Sequence, residues 1–90
     1  MTLESKVETK ESVFVQEVDE EMILLDADTQ EYFSLNEIGS YFYELLAEKK
    51  ELALVLEELK NSFDVSEEDL KRDLFAFVKA LEEKKLIKLL

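Results

Sequence analysis

LLDADTQEYFSLNEIGSYFYELL, residues 24–46, is the stretch whose reading decides the fold. Met22 to Leu25 is a short apolar run bounded by acids, which suits a buried strand. Asp26-Ala27-Asp28-Thr29-Gln30 breaks it with residues whose carboxylates bond nearby backbone N–H groups in turns. Glu31 to Leu35 then alternates, with Phe33 and Leu35 on one face and Tyr32 and Ser34 on the other. That spacing predicts a strand hairpinned to the one before. Asn36 follows as a helix N-cap, because its side chain satisfies an orphan N–H of the first turn. Ile38, Tyr41, Phe42, Leu45 and Leu46 recur at helical spacing. Gly39, the single glycine, falls in the first turn, where it costs about 1 kcal/mol relative to alanine. Close packing against the sheet is the expected compensation.

Working outward, Val13 to Val18 (VFVQEV) is a β-rich run, with Asp19-Glu20 as a two-residue turn into the apolar run. Strands at 13–18, 21–26 and 31–35 would form an antiparallel meander. Leu52, Val55, Leu56, Leu59 and Phe63 mark an amphipathic second helix. Ser66-Glu67-Glu68-Asp69 reads as a helix start, a capping serine with acids placed well for the helix dipole. The third helix carries Leu70, Leu74, Phe77, Val78 and Leu81 in one arc of about 100°. Phe75 falls outside that arc, beside Lys71 and Glu82. Residues 1–11 read as a flexible tail, residues 12–90 as one domain, and Leu86 to Leu90 as a final strand or a covering extension. The expected fold is α+β: a three-stranded antiparallel sheet followed by three helices, winged helix-turn-helix-like.

Composition bounds the chemistry. With 47% apolar residues in 90, this is a folding sequence of one small domain. No run of apolar residues is long enough for a membrane span, and the polar start does not read as a signal peptide. The expected location is cytoplasmic. The chain has no His and no Cys, so the usual zinc and copper ligands, a His base and a Cys nucleophile are missing. One glycine cannot build a phosphate-cradling loop. No cofactor is expected, and no enzyme.

The net charge of −12 is unevenly placed. From Glu11 to Glu48 there are 11 acidic residues and no Lys or Arg, whereas from Lys49 onward 10 acids face 9 bases. Part of this is solubility. A partner on the sheet half would be cationic, and basic near a contact with Glu31. Nucleic acid is disfavoured there, because phosphate needs the opposite sign.

The order Leu24-Leu25-Asp26, Thr29, Tyr32, Leu35-Asn36, Gly39 and Tyr43 before Leu45-Leu46 resembles the PqqD-like family of RiPP recognition elements. Tyr43 stands where that family usually has Trp. Phe77 and Leu81 fit its last helix, and Lys85 replaces a glycine common before the closing Leu. The resemblance covers about residues 13 to 90. It implies a binding module that takes up the leader peptide of a ribosomally made precursor and presents it to a radical SAM modifying enzyme or a leader peptidase. A lasso-peptide or a radical SAM pathway fits equally. The leader would add as a strand to the edge of the third strand and lie against the third helix. The implied peptide-binding residues are Glu31, Tyr32, Phe33, Ser34 and Leu35 on the strand and Lys71, Phe75, Val78 and Glu82 on the helix. Phe33 and Leu35 compete as core residues. Phe75, an aromatic off the core arc, is either a half-exposed residue without a role or a contact of the groove wall.

Two other functions compete. A winged-helix transcriptional regulator would set the third helix in a major groove, but SEEDLKRDL puts acids where phosphates would come. An adaptor subunit would bind a protein helix through an apolar face.

Overall fold

A computed structural model describes residues 1–90. The three expected strands form at the expected bounds: β2 (Val13–Val18), β3 (Glu21–Asp26) and β4 (Glu31–Leu35), after a short β1 (Val7–Thr9). Helices α1 (Glu37–Lys49), α2 (Leu52–Ser62) and α3 (Glu67–Glu83) follow, then β5 (Ile87–Leu89). The main sheet is antiparallel in the order β2-β3-β4. Leu24 pairs with Val15 on one side and Phe33 on the other, and Leu25 likewise with Phe14 and Tyr32. Because strand side chains alternate faces, Met22, Leu24 and Asp26 point inward and are buried, while Ile23 and Leu25 point outward.

The helix starts follow their caps. The Asn36 side chain accepts from Gly39 N–H at 2.8 Å, and Ser66 Oγ accepts from Asp69 N–H at 3.2 Å. Each satisfies a donor that the first turn would otherwise leave unpaired. The three helices bury Leu45, Leu46, Leu52, Leu59, Leu74 and Val78 against Leu24.

Two expectations are corrected. In α1, Ile38 is 56% exposed and Tyr43 takes its place in the core at 4%. Ile38 is one residue into the first turn, beyond the cover of the sheet. Burial pushes the Tyr43 phenol above its ordinary pKa.

Residues 1–11, expected as a flexible tail, are tied down at 3–10. β1 pairs antiparallel with β5, placing Val7 opposite Leu89. Val7 is fully buried. α2 has no side-chain cap, and the carbonyls of Ser5 and Leu3 accept from Leu52 and Ala53 N–H instead. Lys10 reaches Asp26 at 2.9 Å. A nearly continuous set of backbone bonds thus orders a segment whose polarity suggests solvent.

The fold also answers for Lys85. It has φ of 59°, the left-handed region that favours glycine. Its N–H bonds Glu82 C=O at 2.9 Å and the next N–H bonds Leu81, so the lysine makes the glycine's turn at a steric cost.

Candidate functional site

β3 covers one side of β4 and nothing covers the other, so β4 presents a free row of backbone donors and acceptors. α3 runs beside that edge. Ser34, Leu35, Gly39 and Phe42 share a hollow of about 440 Å³ with Asp73 and Phe77 of α3. Just past the C-terminal end of the same helix, Lys84 Nζ sits 4.9 Å from the Phe33 ring centre. β4 therefore runs antiparallel to α3, with Lys84 beside its middle and Asp73 beside its end. At 1.5 Å per residue their backbone positions are about 16 Å apart along the axis.

The floor is aromatic and fixed. Phe77 meets Phe42 edge to face with ring centres 5.5 Å apart. An alanine Cβ at Gly39 would lie 3.5 Å from Phe77, 3.6 Å from Leu35 and 3.3 Å from the capping Asn36 oxygen. Only the approach to the Asn36 cap oxygen is tight; the contacts with Phe77 and with Leu35 of the sheet are ordinary, so close packing against the sheet is not what favours the glycine.

The predicted strand residues all lie on β4. Glu31, Tyr32 and Ser34 are exposed, and Phe33 and Leu35 are half-buried against the core. The α3 residues divide differently from the expectation. Phe77, read as core, does pack against the core and also lines the hollow beside β4. Phe75 lies about 160° around the axis from Phe77, on the flank away from β4, where Lys71 stacks over its ring at 5.6 Å. Glu82 shares that flank and faces β1 and β5, lining a hollow with Glu8 and Lys88. Val78 is fully buried and lines no surface. The residues that sequence reasoning placed elsewhere or did not single out are Phe77, Asp73 and Lys84. They follow one another at helical spacing, which was visible, but the side of the arc facing β4 was not.

A second feature is the outward face of the sheet. Phe14, Leu25 and Tyr32 stand in one cross-strand row, 61%, 45% and 68% exposed, with Ile23 and Val18 alongside. No helix covers them. No set of three His, Cys, Asp or Glu side chains is arranged to hold a metal, and no helix is long and apolar enough to cross a membrane.

Residues 21–87 match the family described as Coenzyme PQQ synthesis protein D (PqqD). Among solved structures, TbiB1 in complex with the TbiA(beta) leader peptide is 30% identical, with a TM-score of 0.84 over 89% of this chain and 93% of that one. A lasso peptide synthetase B1 complexed with the leader peptide is 26% identical, with a TM-score of 0.83 over 92% and 98%. No curated protein sequence matches the chain significantly.

Proposed function

The chain belongs to the PqqD family, and on that premise we propose that it is a recognition element for the leader peptide of a ribosomally synthesised precursor. The observation that carries the reading is the free edge of β4 beside the Phe77 hollow. An extended peptide adds there as a fourth strand. Its backbone bonds supply affinity, and alternate side chains entering between β4 and α3 supply specificity. The two solved neighbours were each captured with a leader peptide, which supports the same use here. One of them is a lasso peptide synthetase B1, which favours a lasso pathway with a leader peptidase over a radical SAM partner. The protein acts as a binding module and not as a catalyst, in the cytoplasm where precursors are made.

The peptide must be handed on, and the outward row Phe14–Leu25–Tyr32 is where the partner enzyme sits. A monomer gains nothing from exposing three large apolar side chains side by side. Backbone addition at the β4 edge leaves that face open.

Fluorescence polarisation of labelled leader peptides, taken from short reading frames beside the gene, tests the first half. Micromolar or tighter binding is expected, and no binding to any of them would remove the reading. Leu25→Asp tests the second half. It should leave leader binding unchanged and abolish stimulation of the neighbouring peptidase.

A further inference from the structure

We infer that the precursor peptide continues past the β4 edge into a second, acid-rimmed hollow, which takes a segment pairing an apolar side chain with Lys or Arg. This rests on the reading of β4 as the peptide's docking edge, and it names what lies beyond it.

The hollow is about 510 Å³ and lies between the β2–β3 turn and the start of α1. Its floor is apolar: Met22, Ile38, Tyr41 and Phe63. Tyr41 meets Phe63 edge to face at 5.9 Å, and its hydroxyl is hydrogen-bonded to Ser62 at 2.6 Å, so that wall is held in place. Glu17, Asp19, Glu20, Glu21, Glu37 and Glu44 form the rim, and no lining residue is basic. The rim is most of the reason the 11–48 segment is so acidic.

Two observations select the occupant. The first is continuity. Ile38 lines both this hollow and the one between β4 and α3, and at 56% exposure it forms the sill between them. A peptide leaving β4 at its Leu35 end crosses Ile38. The second is charge. The groove has Lys84 beside Phe33 and Asp73 at the Leu35 end. Asp73 is paired with the neighbouring Arg72 at 3.8 Å, so the negative potential at the Ile38 end comes from the rim, whose acids form no salt bridge and whose hollow has no basic lining residue. A peptide in this groove keeps its cations at the Ile38 end. This moves the basic segment of the leader from Glu31, expected from the charge count, to the opposite end of β4.

An isolated acidic cluster would draw small cations only. An apolar floor beneath it selects side chains that bury a stem or ring and present a positive head, which Lys and Arg flanked by an apolar residue do.

The test compares one labelled leader peptide, encoded beside the gene, on four proteins in low salt: wild type, Glu20→Gln/Glu44→Gln, Ile38→Ala and Phe77→Ala. Glu20 and Glu44 are exposed and carry no fold contact, so the double variant folds. It should bind about three- to tenfold more weakly and show a shallower salt dependence. In wild type, the backbone amides of residues 19–21 and 41–44 should shift in nitrogen–proton spectra when peptide is added. Equal binding by wild type and the double variant, with those amides unmoved while Phe77→Ala weakens binding, would overturn the second hollow and leave the recognition function standing. Wild type that binds no leader would remove both.

Discussion

Phe77→Ala should weaken leader binding about tenfold, and Phe75→Ala should leave it unchanged. The two phenylalanines are two residues apart on one helix, yet about 160° apart around it. An α-helix with its side chains is about 10 Å across, so Phe75 lies a helix width from a peptide on β4. Phe77 shares a hollow with Ser34 and Leu35 and stacks on Phe42 at 5.5 Å. An aromatic anchor at the centre of an interface costs about 1–2 kcal/mol or more when truncated, and 1.4 kcal/mol is tenfold in affinity. Stability falls as well. A fully buried phenylalanine costs about 3–5 kcal/mol on truncation, and Phe77 is only half-buried, so about 2 kcal/mol is expected, including the edge-to-face pair. Phe75→Ala, also at a partly buried residue, should cost a similar amount, about 1–2 kcal/mol, without the edge-to-face pair. Polarisation titrations give the binding, urea melts give the stability, and circular dichroism shows that each variant is folded under titration conditions. Phe77→Leu, which keeps most of the volume, should recover the stability and only part of the affinity. A Phe75→Ala that loses affinity while Phe77→Ala keeps it would refute the placement of the groove.

Asp26 is 2% exposed and accepts from Lys10, Ser12 and the Asp28 N–H at 2.9–3.0 Å. Its hydrogen bond with Lys10 is the largest cause holding its carboxyl below the usual value, and the same bond holds the Lys10 ammonium above its own. The Asp26 contribution is present above its unfolded pKa of about 3.9 and is lost as pH falls through the lowered folded value. The Lys10 contribution is present below about 10.4 and is lost as pH rises through the raised one. Thermal melts against pH should show both limbs, and Asp26→Asn should flatten the acid one; an unchanged acid limb would count against the latch. Val7→Ala should cost about 2 kcal/mol in urea melts, because Val7 is fully buried, whereas a free tail would show no loss. Lys85→Gly should raise stability by about 1 kcal/mol, since left-handed backbone costs a non-glycine residue about that much; a decrease would mean that the lysine side chain repays its strain.

The sequence by itself determined what local chemistry controls. Alternation and turn residues set the three meander strands, whose bounds hold to the residue. Asn36 and Ser66 set two helix starts, because a cap needs only its own first turn. The order of Leu24-Leu25-Asp26, Tyr32, Leu35-Asn36 and Gly39 carried the family and, with it, the expectation of β4 as the binding edge. Tertiary structure alone decided three matters. It paired β1 with β5, across some eighty residues with no local pattern to announce it. It replaced Ile38 with Tyr43 in the core, since periodicity marks an apolar arc but not where the neighbouring sheet stops covering it. It also turned Phe77, with Asp73 and Lys84, toward β4, and left Phe75 on the far flank. A helix's sequence fixes the angles between its own side chains. The rotation of that helix against a strand forty residues earlier is set by packing all the layers at once, and no window along the chain contains that information.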